Sequence, residues 1–271
     1  MLTDKYDRTI NYLRVSVTDK CNYRCTYCMP AEGVPLKSRR EILSYESIAL
    51  IASVAGKMGF TKLRLTGGEP LIRRNIESLV EMIRLTGKYD EITMTTNGAL
   101  LTRELAQRLR DNGLNRINIS LDTIDPHRFR EITRGGNIND VFTGIESAKA
   151  ADLFPIKINM IIFKETTPQD IAVMRSFCEK NGLVLQTIKH FSLYNREHES
   201  RYPHSFNRPQ PCEKCNRLRL TADGYIKPCL FSDKEIKVDL NNPEESIRKA
   251  INAKPFHGTA CINRAMCQIG G

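Results

Sequence analysis

Apolar and polar residues alternate in five short stretches of the chain, at 13–17, 63–66 (preceded by Lys62), 92–95, 117–122 and 156–160. A period of two predicts strands, and a sixth strand is expected at 183–188. Between them, apolar residues recur at helical spacing over 46–58, 76–85, 102–110, 141–151 and 170–180. Strands alternating with helices in this way imply a parallel sheet or barrel.

The pattern contains a contradiction. Parallel strands are normally apolar on both faces, because helices cover both sides of their sheet. Here the strands each keep one polar face, carrying Arg14, Ser16, Lys62, Arg64, Thr95, Asn118, Ser120, Lys157 and Asn159. A barrel resolves this, since its helices cover only the outside and the polar face then looks inward. A packed interior would not tolerate four unpaired cations; an interior that receives a polyanion would. An antiparallel sheet with its polar face in water explains any one strand, but not five strands separated by helices.

After Leu193 the periodicity lapses. Residues 195–211 are rich in Pro, His, Arg and Asn and read as a linker. That divides the chain into a barrel over 1–194 and a small cysteine-bearing module over 212–271. At 271 residues the chain is long enough for both. No stretch approaches the roughly 18 apolar residues of a membrane span, and no apolar run of a signal peptide follows Met1. A cytoplasmic protein without a membrane partner is expected. The net charge of +10 suits an anionic partner. The basic residues are scattered, without the like-charge run of a nucleic-acid tail.

Nine cysteines in such a protein are expected as metal ligands rather than disulfides. Cys21, Cys25 and Cys28 follow the first strand directly, at the mouth where barrel enzymes keep their active sites. Three thiolates on one loop can hold a soft metal centre. On a four-iron cluster they leave one iron open to a substrate or cofactor; a zinc knuckle is the ordinary alternative. Cys212, Cys215 and Cys229 form a second set. Structural zinc wants four ligands, which His204, Cys261 or Cys267 would complete. With three ligands, an iron–sulfur cluster with an open iron is the sharper reading. The alternation in 216–220 puts Arg217 and Arg219 on one face beside this set, and arginine makes bidentate contacts to phosphate or carboxylate.

The stretch LRVSVTDKCNYRCTYCMP, residues 13–30, closely resembles the molybdenum-cofactor biosynthesis protein A (MoaA) family. These are the GTP 3′,8-cyclases, radical S-adenosylmethionine (SAM) enzymes. KLRLTGGEPLIRR (62–74), TTNG (95–98), INISLD (117–122), KINM (157–160), CNRLRLTADG (215–224) and the terminal QIGG (268–271) are similar too, so the likeness covers nearly the whole chain.

The resemblance implies an α/β fold, a partial (βα)6 TIM-like barrel closed by a C-terminal iron–sulfur module. It implies two [4Fe–4S] clusters and S-adenosyl-L-methionine as cofactors. Cys21, Cys25 and Cys28 would hold the cluster that cleaves SAM, and Tyr27, Gly68 and Ser120 would contact SAM. Cys212, Cys215 and Cys229 would hold a second cluster whose open iron meets the guanine. Arg14, Arg64, Thr95, Lys157, Arg217 and Arg219 would bind GTP, with Arg217 and Arg219 also assisting the chemistry. The implied reaction begins with one-electron cleavage of SAM to methionine and a 5′-deoxyadenosyl radical. That radical takes hydrogen from ribose C3′, the C3′ radical attacks guanine C8, and 3′,8-cyclo-7,8-dihydro-GTP results. Implied partners are an electron donor of flavodoxin or ferredoxin type and the next enzyme of the pathway. A homodimer is compatible with the family, and nucleic acid is not expected. The two-glycine tail would reach the active site, where residues without side chains approach closely.

The chain also departs from the family. The segment after the sixth strand is short, and Lys189 stands where an arginine is expected; the two are not equivalent at bidentate sites. A family contact to SAM falls near Tyr194. Cys261 and Cys267 lie outside the signature and read either as small buried residues or, with His257, as a further metal site. Cys178 reads as core. Three other functions stay open on residues alone: a paralogous radical enzyme with an auxiliary cluster acting on a peptide, electron transfer between clusters, and a zinc-bearing nucleic-acid-binding protein.

Overall fold

The computed structural model describes residues 2–194 and 211–270. All but Pro211 of the expected linker, together with His204 and Gly271, lies outside the described residues.

Six strands and six helices build the first part of the fold. Strands β1 (Tyr12–Ser16), β2 (Lys62–Thr66), β3 (Glu91–Thr96), β4 (Arg116–Ser120), β5 (Lys157–Ile162) and β6 (Val184–Lys189) pair in parallel, each with the next. Helices α1 (Tyr45–Lys57), α2 (Ile76–Leu85), α3 (Arg103–Asp111), α4 (Pro126–Thr133), α5 (Ile138–Ala150) and α6 (Pro168–Lys180) fill the connections. Their starts are chemically marked. Ser44, Thr102, Asp125, Asn137 and Thr167 each turn a side-chain oxygen onto a first-turn N–H, the usual N-cap bond.

Register fixes which side chains share a face. Leu13, Val15, Leu63, Leu65, Ile92, Met94, Ile117, Ile119, Ile158 and Met160 are buried in the core cluster that the helices complete. The opposite face carries the polar set in rows. Arg14 pairs with Arg64, Arg64 with Thr93, and Thr93 with Arg116. The next row toward the strand ends runs Ser16, Thr66, then Thr95, Asn118 and Lys157, and the one beyond it Ser120, Asn159 and Gln186. The polar face is therefore the concave one, in the partial-barrel arrangement expected.

Residues from 212 onward extend this same sheet. Strand β7 (Arg217–Leu220) lies parallel to β1, and β8 (Tyr225–Lys227) and β9 (Ile236–Lys237) follow antiparallel, giving the order β6-β5-β4-β3-β2-β1-β7-β8-β9. Register sets Arg219 beside Arg14 and Arg217 beside Tyr12. Helix α7 (Pro243–Asn252) and a short α8 (Met266–Ile269) complete the chain. Among the described residues no helix is long and apolar enough to cross a membrane.

The two faces of β4 predict opposite outcomes. Ile119, fully buried on the helix side, should cost about 2–5 kcal/mol when replaced by Ala. Ser120→Ala, on the concave side, should stay within about 0.5 kcal/mol. Urea unfolding of the metal-free chain measures both.

Candidate active site

One cavity opens at the C-terminal ends of the strands, and the predicted residues crowd into it. Tyr12, Arg14, Cys21, Cys25, Tyr27, Cys28, Arg64, Gly68, Thr95, Ser120, Arg217 and Arg219 all line it. Its empty space, open mouth included, is about 1460 Å³.

The first cysteine loop leaves β1 and is anchored on three sides. On one side the β2 loop runs against it, with Gly68 N–H donating to the Thr18 carbonyl at 2.7 Å and Glu69 N–H to that of Lys20 at 2.8 Å. A Cβ on Gly68 would overlap the Lys20 carbonyl, so only glycine permits the approach. On the second side α4 grips the loop: Thr26 N–H reaches the Ile132 carbonyl at 2.9 Å, and Arg134 Nη1 donates to the Arg24 and Met29 carbonyls at 2.8 and 2.9 Å. On the third, the Tyr27 hydroxyl bonds Asp122, whose carboxylate also accepts from Ile161 N–H at 2.8 Å.

Glu69 locks the glycine loop to the end of β3. Buried, it accepts from Thr96 Oγ1 at 2.6 Å, Asn97 N–H at 2.7 Å and Leu71 N–H at 3.0 Å. Burial nevertheless pushes its pKa up to about 7. Burial also pushes the Cys25 thiol up to about 12 and Cys21 to about 11. These thiols are neutral when the loop is empty, so ligation of a metal there must expel protons.

Arginines form the opposite wall. Arg219, Arg14 and Arg64 occupy adjacent positions on β7, β1 and β2, strands about 4.8 Å apart. Arg64 donates to Thr93 Oγ1 at 3.0 Å and to Thr95 Oγ1 at 3.4 Å; Arg219 Nη1 donates to the Gly270 carbonyl at 2.9 Å. Burial, then the neighbouring Arg219, lowers the Arg14 guanidinium well below its ordinary value. Burial and Arg217 bring Arg219 down to about 10, so it remains charged at neutral pH. Against its own burial, Tyr12 is held below the ordinary phenol value by Arg64, Arg14, Arg217 and Arg219.

Cys212, Cys215 and Cys229 do not line the cavity; Cys215 and Cys229 lie near enough to Arg219 to act on its charge. Cys212 opens a single 3-10 turn that Cys215 caps, and Cys229 follows β8. Arg8 pins that region from the N-terminal segment, donating to the Cys212 carbonyl at 2.9 Å and to the Pro255 carbonyl at 2.8 Å. A Cβ on Gly258 would stand 2.6 Å from Cys229 Sγ, so this glycine leaves the sulfur its room. Cys215 differs from the first triplet. Although burial opposes it, Lys254 and then Arg217 draw its thiol down to about 7.

Comparison with known proteins decides the family. Residues 15–178 match the model of the radical SAM superfamily. Proteins named GTP 3′,8-cyclase from Thermodesulfovibrio yellowstonii, Moorella thermoacetica and Clostridium botulinum are 36%, 37% and 38% identical, the alignments covering all of this chain and all of each relative. The chain belongs to the radical SAM superfamily, within the GTP 3′,8-cyclase family. The alignment to the Thermodesulfovibrio protein spans 323 positions against the 271 residues here, so this member is internally shortened. Among solved structures, anSMEcpe with bound AdoMet superposes with a TM-score of 0.63 at 18% identity, covering 88% of this chain and 77% of that one. Streptococcus suis SuiB bound to S-adenosylmethionine gives 0.57 at 17%, covering 68% of this chain and 41% of that one. These likenesses bear on the fold alone.

Within this radical SAM fold, some predicted residues stand apart from the cavity. Lys157 is half-buried one row nearer the strand starts than Asn159 and does not line it. Lys62 is exposed at the start of β2. Lys189 is buried and lines the cavity, whereas Tyr194 is 63% exposed and does not. Cys261, Cys267 and His257 do not converge. Cys261 bonds Asn263, His257 faces Glu213 at 3.6 Å, and Cys267 is buried in contact with the Cys28 thiol.

The donor chemistry of both triplets fits iron–sulfur clusters. All six are free, partly buried thiols. Among the described residues no three His, Cys, Asp or Glu side chains converge on a single-ion site.

Glu69 yields a pH prediction. The folded chain keeps this proton to about pH 7, while the unfolded chain loses it near 4.5. Over that interval the folded state binds more protons, so this contribution to stability is present at low pH and lost as pH rises through 7. Glu69→Gln should flatten the decline between pH 5 and 8 in urea unfolding of the metal-free chain. An unchanged decline contradicts the assignment.

Proposed function

We propose that this chain is a radical SAM GTP 3′,8-cyclase, converting GTP to 3′,8-cyclo-7,8-dihydro-GTP in molybdenum cofactor biosynthesis. The observation that carries the reading is the arginine wall: Arg14 and Arg219, buried, and Arg64 and Arg217, half-buried, face one cavity whose opposite wall is a cysteine triplet. Neighbouring buried cations repel one another and are costly, and a triphosphate is a ligand dense enough in charge to offset several at once. The full-length relatives named GTP 3′,8-cyclase support the same substrate.

On this reading Cys21, Cys25 and Cys28 hold one [4Fe–4S] cluster and Cys212, Cys215 and Cys229 another. Bound there, the first cluster and SAM supply the 5′-deoxyadenosyl radical that takes hydrogen from ribose C3′. The protein's own contribution is positional. Tyr27, held by Asp122, Gly68 and Ser120 border the SAM side. Thr95 and the four arginines take the nucleotide, and Lys157 acts from the row it shares with Thr95. Arg217 and Arg219 line the cavity and lie near Cys215, where the base would meet the open iron. The anchored glycine loop and α4 fix the cysteine loop, so that reactive atoms keep their places and water is kept out. The reading carries with it a cytoplasmic setting, an electron donor of flavodoxin or ferredoxin type, handover of product to the next enzyme, and compatibility with a homodimer.

Two outcomes test it. With dithionite and SAM under anaerobic conditions, the reconstituted chain should form 5′-deoxyadenosine, and Cys25→Ala should abolish it; survival in that variant contradicts the ligand assignment. Arg219→Ala should weaken GTP binding by about 1.5–3 kcal/mol, the worth of a charged hydrogen bond, with iron content unchanged. Anaerobic calorimetry reads this, and equal affinity of the intact chain for GTP and ATP would point to a different substrate.

A further inference from the structure

Lys254, just beyond α7, is 1% exposed. A buried ammonium is costly unless its three protons find acceptors, and these do. Lys254 Nζ donates to the Arg217 carbonyl at 2.8 Å, to the Pro228 carbonyl at 2.8 Å and to Cys215 Sγ at 3.4 Å. Among the described residues no carboxylate lies within ion-pair distance of it, although two other cations of residues 212–270 have such partners. Lys227 has Glu235 at 3.3 Å, and Arg264 has both Asp223 at 3.0 Å and Glu235 at 2.6 Å. The negative centres next to Lys254 are instead the sulfurs of Cys215 and Cys229. Its carbonyl acceptors belong to the residue two after Cys215 and the residue just before Cys229, so one ammonium ties both cysteine strands together.

We propose that Lys254 is a positioning residue that raises the reduction potential of the cluster at Cys212, Cys215 and Cys229, an inference that rests on the two-cluster reading. Reduction of a cluster by one electron adds one negative charge. A fixed ammonium that donates to a ligand sulfur stabilises the more negative form, and net charge and hydrogen bonds to sulfur are among the settings of such potentials.

The test uses a chain in which Cys21, Cys25 and Cys28 are all Ala, so that the second cluster is the sole one. Its potential is titrated anaerobically with dithionite and followed by electron paramagnetic resonance. Lys254→Gln and Lys254→Met should keep about four irons per chain and lower the equilibrium constant for reduction at least tenfold, which for one electron is a fall of about 59 mV. Lys254→Arg, which keeps the charge, should stay nearer the parent. An unchanged potential in both neutral variants overturns the inference, as does loss of iron from a neutral variant that still folds, since the role is then structural. A parent without iron instead overturns the two-cluster reading, and the inference with it. Should the neutral variants fail to fold, spin-echo modulation on parent protein labelled with ε-15N-lysine decides. A coupled lysine nitrogen that disappears in Lys254→Arg upholds the inference, and its absence from the parent refutes it.

Discussion

The row of guanidinium groups across β7, β1 and β2 is the constraint on which the rest of the site depends. A sheet that sets Arg219, Arg14 and Arg64 side by side cannot close over them as an ordinary packed barrel, because buried like charges repel without solvent to screen them. The sheet stays curved around a cavity, and that cavity faces the cysteine loop. The apolar outer face supplies the burial that holds the row in place, with Leu13, Val15, Leu63 and Leu65 all in the core cluster. Stability resides on one face of these strands and chemistry on the other.

The second constraint is placement of the thiols. Neither triplet sits on an α-helix or a strand, so the rest of the chain fixes the loops. Gly68 and Glu69 fasten the first loop to β2 and β3, α4 and Arg134 fasten its far side, and Arg8 and Lys254 fasten the second set. The tail joins the same assembly: Arg264 bonds Asp223 and Glu235, and two turns of chain further on the Gly270 carbonyl reaches Arg219. One arginine of the cavity wall thus also holds the Gly270 carbonyl.

Much of this was legible in the sequence because two periods coincide in it. Five of the six parallel strands announce themselves by alternation, and their polar inner face by the cations that alternation exposes. The Cys-x3-Cys-x2-Cys loop and the paired arginines are local patterns, readable without the fold. What escaped lacks such a signal. Helix α4 buries only Phe129 and Thr133, too few to mark a helical period, though Asp125 before Pro126 is a start signal of the usual kind. Nothing local shows that 217–220 lies beside 12–15, which is a long-range pairing. Lys254 follows a helix, where a lysine normally reads as a solvated cation. Cys267 reads as a small buried residue and is one, yet only the fold reveals that its neighbour is Cys28.

The central claim is that this cavity holds GTP with its ribose C3′ presented to the SAM-derived radical. Anaerobic turnover with GTP deuterated at C3′, followed by mass spectrometry of the 5′-deoxyadenosine released, tests it directly. The account predicts one deuterium in 5′-deoxyadenosine together with a cyclised nucleotide product. Turnover of SAM to 5′-deoxyadenosine without deuterium, with GTP recovered unchanged, would contradict it.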